Sequence, residues 1–262
     1  MHNAQIKFGR TLAAVVVGLL CCAPVLLAQA PAPSGAATAS GVPDLSGNWL
    51  MGPGLVLKAS GSPGTPSADV PMTTWGSEKL KAARPPFGPK ETFDQNDPTQ
   101  KYCDPPGLTR LYQYPWQLAV VQTPTNVYIL FEYLHVWRLV TMNHEHPKDP
   151  DTTWLGDSVG HYQGDTLVVD TIGFNDKSWL DNYGHPHSDA MHTVERFHRV
   201  SHEVLQLDLT VEDPKAYTKP LTATKTFKLS SYPMGETMCS LSETEAFQKN
   251  VMDRTLPAPP KK

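Results

Sequence analysis

Cysteine, net charge and catalytic signatures are all scarce in this sequence. Its 262 residues hold four cysteines, and two of them, Cys21 and Cys22, fall within the first thirty positions. Cys103 and Cys239 stand far from any other, which excludes a zinc site built on clustered thiolates. Lys and Arg number 22 against 26 Asp and Glu, a formal net charge of −4. So slight an acidic balance leaves no nucleic-acid footprint. No phosphate loop, dinucleotide fingerprint or His-Glu-x-x-His helix occurs, and a nucleophile elbow, the sharp Gly-x-Ser-x-Gly turn from strand to helix, is not expected. Most common enzyme classes lose their support with these motifs, and no organic cofactor is implied.

One long apolar run is present, at the start. Residues 1–10 carry Lys7 and Arg10 without an acid, residues 11–27 are almost wholly apolar, and Ala28-Gln29-Ala30 supplies a small-x-small pattern. That order reads as a signal peptide over residues 1–30. The run is short for a spanning helix, and Leu20 and Cys21 stand where a lipoprotein cysteine needs a small residue before it. The expectation is a periplasmic or secreted protein with no membrane attachment after cleavage and a mature net charge of −6. In an oxidising compartment Cys103 and Cys239 are expected to pair. Closing so long a loop contributes on the order of 4 to 5 kcal/mol by chain entropy.

Residues 31–44 are small and proline-rich and read as a disordered linker. A single domain is expected over 45–250, followed by a flexible tail, 251–262. It opens with a strand at 47–51 and a long irregular region, 52–115, dense in Gly, Pro, Ser and Thr, with one helix at 74–83. From Trp116 the pattern changes. Segments 116–123, 126–134, 136–142, 158–163, 166–174, 191–200, 204–212 and 222–230 are rich in β-branched and aromatic residues and read as strands. Gly164-Asp165 is a two-residue hairpin signal, so neighbouring strands are expected antiparallel. Connections too short for crossover helices predict an all-β, antiparallel up-and-down barrel or strongly curled sheet, because closure removes exposed edges. A sandwich is the alternative. Gly47-Asn48-Trp49 resembles the opening of lipocalins and other calycins, which implies a tryptophan plugging the barrel floor.

Titratable groups concentrate in residues 179–197. Alternation sorts the strand there: His192, Val194, Arg196 and His198 share one face, and Met191, Thr193, Glu195, Phe197 and Arg199 the other. Neither face is cleanly apolar, which points to a polar cavity on one side. His187 is the candidate general acid or base, with Asp189 or Asp181 orienting it and Arg196 or His192 stabilising developing negative charge. His185, Glu195 and the carboxylate of Asp170 complete the candidate set. Trp154, Tyr162, Phe174 and Trp179 are candidate walls for a ligand. A metal reading is open through His185, His187 and His192, with His144 and His146 as a second pair. Ser188 is a poor nucleophile for His187, since side chains adjacent on a chain rarely face one another. Lys177 reads as a surface residue.

Gly156-Asp157-Ser158-Val159-Gly160-His161, Gly164-Asp165-Thr166-Leu167-Val168-Val169-Asp170-Thr171, Gly173-Phe174-Asn175-Asp176-Lys177, Trp179-Leu180-Asp181 and Gly184-His185-Pro186-His187-Ser188-Asp189 run on to Glu195-Arg196-Phe197. This pattern resembles a widespread family of secreted bacterial proteins with no established function. The likeness spans Pro43 to about Phe247 and takes in Cys103-Asp104-Pro105 and the 213–220 segment. It implies that His185, His187, Asp189, Glu195 and Arg196 belong together, and it brings no catalytic role. Met142-Asn143-His144-Glu145-His146-Pro147 departs from the family's Asp-Gly-Arg turn, which weakens a metal role for His144. The sequence thus points to a small-molecule ligand at a barrel mouth built from residues 144–160 and 175–192. Acid–base chemistry there would be of lyase, isomerase or hydrolase type. A carrier without turnover and an extracytoplasmic metal-binding protein are the alternatives.

Overall fold

The computed structural model describes residues 41–52, 55–59, 70–247 and 249–250, all in one compact unit. The expected signal peptide, most of the linker and the tail lie outside the described residues. Ten strands follow one another: β1 (Gly47–Met51), β2 (Lys58–Ala59), β3 (Leu118–Gln122), β4 (Asn126–Phe131), β5 (Trp137–Met142), β6 (Asp157–Gln163), β7 (Thr166–Ile172), β8 (His192–Ser201), β9 (Val204–Glu212) and β10 (Leu221–Ser230). They form one sheet in the order β1-β3-β4-β5-β6-β7-β8-β9-β10-β2, and β1 also pairs with β10. That second pairing closes the ring. β2 lies along β10 at Leu221 and Thr222, beyond the stretch that β1 occupies, so β1 and β2 act as one interrupted strand.

The expected barrel is therefore what the strands form, with one correction: β5 and β6 run parallel, through Val140–Met142 and Ser158–Gly160. Geometry requires such a pair. Nine strand positions circle the wall, and an odd ring cannot alternate direction all the way round. The pair is short, three positions long, and the chain between its strands, 143–156, has to travel back along the outside before β6 begins.

Inward-pointing residues follow the period of two that strand pleating imposes. Val127, Ile129 and Phe131 on β4 and Leu205, Leu207, Leu209 and Val211 on β9 are all buried in the core. On β8 the buried set is Thr193, Glu195 and Phe197, while His192, Val194 and Arg196 face outward. One end is sealed by Trp49, whose Nε1 donates to Leu45 O at 3.0 Å under the guanidinium of Arg199, 5.2 Å from the ring centre. Residues 42–44, read as linker, are held at this end. Gln122 Nε2 donates to Pro43 O at 3.2 Å and Arg199 to Asp44 O.

The 52–115 region is less irregular than its composition suggests. It holds α1 (Thr74–Ala82), α2 (Pro98–Tyr102) and α3 (Leu108–Leu111), and α4 (Leu241–Phe247) follows the barrel. α3 and the residue after it enter the other end of the barrel. Leu108, Leu111 and Tyr112 are fully buried, and the Tyr112 ring meets Phe131, Phe227 and Phe197 edge-on at 5.5, 6.3 and 6.4 Å. Arg110 beside them forks onto Asp97 at 2.9 and 2.7 Å, both side chains fully buried. Cys103 and Cys239 form the expected disulfide, Cα atoms 5.5 Å apart. The barrel lumen is thus filled by side chains, and α1 to α3 with the 173–191 and 213–220 loops form a cap over its upper rim.

Candidate functional site

The cap holds the clearest chemical pairing in the molecule. Ser178 Oγ lies 2.8 Å from His187 Nε2, and both residues are buried. The other ring nitrogen, Nδ1, faces the Ser188 carbonyl at 3.3 Å. A carbonyl only accepts, so Nδ1 carries the hydrogen and Nε2 receives one from the Ser178 hydroxyl. Burial pushes the His187 imidazole below its ordinary range, against the opposing pull of the Ser188 carbonyl, Asp213 and Asp176. A neutral imidazole accepting a hydroxyl proton has the geometry of a general base on an oxygen nucleophile.

Local structure fixes both partners. An isolated bridge between Trp179 and Pro186, with Leu180 N donating to His185 O at 2.8 Å, folds residues 178–187 back on themselves and sets Ser178 against His187. Asp181 holds the turn, accepting from Tyr183 N at 2.9 Å and pairing with His185 Nδ1 at 2.7 Å. Asp213, buried, accepts from Ser188 N at 2.6 Å and Ser188 Oγ at 2.8 Å. Gly107, at φ 82°, sits where any Cβ would collide with Ser178 Oγ. The pair opens on a cavity of about 240 Å³ lined also by Trp75, Lys79, Asn96, Asp176, Lys177 and Trp179.

The other expected site residues are dispersed. Asp189 is exposed and pairs with Lys215 at 3.2 Å rather than with His187. Arg196 lies on the outer wall and donates to Gln163 Oε1 at 3.0 Å. Asp170 and His192 are also on the outer wall, in an alternating chain. His146 lies 2.6 Å from Asp157 and 2.9 Å from Asp170, and Asp170 lies 2.8 Å from His192, whose other nitrogen is 3.5 Å from Glu212. His185, His187 and His192 each turn to a different partner, and among the described residues no group of three or more His, Cys, Asp or Glu is placed to hold a metal ion. Of the aromatics, Trp179 lines the cap cavity, Trp154 lines a second cavity on the wall, Phe174 is core and meets His187 edge-on at 6.4 Å, and Tyr162 hydrogen-bonds Gln122 at 3.1 Å.

Glu195 belongs to a cluster that sequence reasoning did not assemble. Inside the barrel its carboxylate accepts from Tyr112 at 2.6 Å and from Arg138 Nη1 at 2.7 Å. Arg138 Nη2 donates to Ser158 Oγ at 2.8 Å and Thr171 Oγ1 at 3.1 Å. Burial works against the guanidinium's charge, and Glu195 and Tyr112 more than restore it. The same burial raises the Tyr112 hydroxyl well above its ordinary range. Gly156-Asp157-Ser158-Val159-Gly160 does spell Gly-x-Ser-x-Gly, but Ser158 lies within β6 and is tied to Arg138 and Thr171, so it forms no elbow.

Fold and site together define a capped β-barrel with a buried serine–histidine pair in its cap. No protein-family model and no curated protein matches the chain. Among solved structures it is similar to the crystal structure of a mutant of the fluorescent protein UnaG, with 14% identity over 72% of this chain and 97% of that one and a TM-score of 0.32. A likeness that slight carries no argument about ligand or activity.

Proposed function

We propose that this chain is an exported hydrolase that binds a small acyl compound in the cap cavity. Ser178 acts there as nucleophile and His187 as general base. The observation that carries the reading is the 2.8 Å contact between Ser178 Oγ and a neutral, buried His187 at the wall of a cavity. Trp75, with the Lys79 ammonium 5.5 Å from its ring centre, and Trp179 line the substrate's place, and Lys79 and Lys177 outnumber the carboxylate of Asp176 and so favour a substrate with partial negative charge. His187 takes the hydroxyl proton as oxygen attacks the acyl carbon and returns it to the departing group; water then attacks the acyl-serine, His187 takes its proton, and Ser178 receives that proton back as the acid leaves. The Ser188 carbonyl holds the hydrogen on Nδ1, which leaves Nε2 free to accept in the resting state.

Turnover of short p-nitrophenyl esters, with labelling by a fluorophosphonate probe, tests this. Ser178→Ala and His187→Gln are each expected to lower kcat/KM at least a hundredfold, and the label is expected on the peptide holding Ser178. Because the His187 pKa lies below 6.5, activity should persist to a more acid pH than an exposed histidine would allow. Turnover unchanged in Ser178→Ala, or a label elsewhere, sinks the reading. Export is tested by sequencing the N-terminus of protein collected outside the cytoplasm, expected to begin between Gln29 and Pro31.

A further inference from the structure

The parallel pair leaves a gap in the wall. β5 and β6 are joined only at Val140–Met142 and Ser158–Gly160, so the rim half of β5, Trp137 to Leu139, has no strand partner on that side. A cavity of about 430 Å³ occupies the gap, a size common for small-molecule sites. Val136, Trp137, Leu139, Trp154 and Leu155, with Pro105 from the cap, give it an apolar and aromatic side, and Thr141, Thr153 and Asp157, whose carboxylate is paired with His146, complete the wall. Trp137 is 59% and Leu139 39% exposed, an unusual amount of large apolar surface to leave beside a concavity.

Arg138 and Ser158 line the same cavity from the lumen side. The two terminal nitrogens of Arg138 are committed to Glu195, Tyr112, Ser158 and Thr171, but its Nε, buried, has no acceptor. A buried donor left unpaired is costly, and a ligand acceptor that reaches it recovers that cost. We propose that this seam is a second binding site, for a flat, largely apolar molecule carrying one strong hydrogen-bond acceptor, a carboxylate or a ring carbonyl. The ring system lies between Trp137 and Trp154. The acceptor enters where the unpaired stretch of β5 and β6 spreads, and takes the Arg138 Nε hydrogen. Glu195 already balances the guanidinium, so shape and the acceptor select the ligand more than net charge does.

The site is independent of the Ser178 chemistry, and the test separates them. Binding of 2-naphthoate to the full mature chain is followed by tryptophan quenching and by calorimetry, with naphthalene as the matched molecule lacking an acceptor. Saturable binding of 2-naphthoate, at least tenfold tighter than naphthalene, is expected. It should weaken at least tenfold in Trp137→Ala, whose exposed position spares the fold, and stay unchanged in His187→Gln. Equal affinity in Trp137→Ala, loss in His187→Gln, or no preference over naphthalene each overturns the proposal. Because the two naphthalene compounds are compared on the unaltered protein, no substitution at buried Arg138 is needed.

Discussion

Two ion pairs carry charge into the interior among the described residues. Glu195 answers Arg138 inside the barrel, and Asp97 answers Arg110 under the cap. Removing one partner leaves the other charged in a medium that cannot solvate it. Glu195→Ala is therefore expected to cost about 3 to 5 kcal/mol, read as a lower denaturant midpoint with little change in slope. The exposed Asp189–Lys215 pair is the control, and Asp189→Ala should change stability by less than about 1 kcal/mol. Alternation alone separated Glu195 from Arg196. It left open which of them faces inward, because Thr193 and Glu195 make the inner face as polar as the outer. Their satisfying partners, Tyr112 and Arg138, lie 83 and 57 positions away. Ser178 was invisible for a related reason: nothing local marks it, and only the bridge from Trp179 to Pro186 brings it to His187.

Among the elements, strands were the legible part. Their sequence runs placed β1 and β9 to the residue and β3 to β8 and β10 within a few positions, while the two-residue β2 went unseen in the region read as irregular. The parallel direction of β6 had no local signature, since it follows from the count of strands in the ring. Helices α2 and α3 were hidden because five and four residues are too few to show a period. The outer-wall chain ties the 143–156 connection to β6, β7, β8 and β9 through His146 and Asp170, and it makes stability depend on pH. Burial alone would raise the Asp170 carboxyl, but hydrogen bonds from His192 and His146 outweigh it and hold the pKa below 3.8. A carboxyl lowered on folding stabilises above its unfolded pKa and loses that contribution as pH falls through the folded one. Asp170→Asn should therefore be less stable than the parent at pH 6, and the difference should shrink as pH drops past 3.8. Urea midpoints of the two proteins across that range measure it.

At the scale of the molecule, the barrel is a scaffold whose lumen is filled, and among the described residues one cavity lies in the cap and another in the seam. The division matters for assays, since a ligand of one cavity need not compete with a ligand of the other. The disulfide sets a further property of the whole. Cys103 and Cys239 lie 136 positions apart and enclose β3 to β10 between them, so the protein is a covalent ring with two tails. A single proteolytic cut anywhere between those cysteines opens the ring without releasing a fragment. Partial digestion is expected to give one full-length band on a denaturing gel run without reductant and two shorter bands when thiol is added. Wherever proteases are abundant and reductants are not, such a chain survives a nick between those cysteines as one molecule.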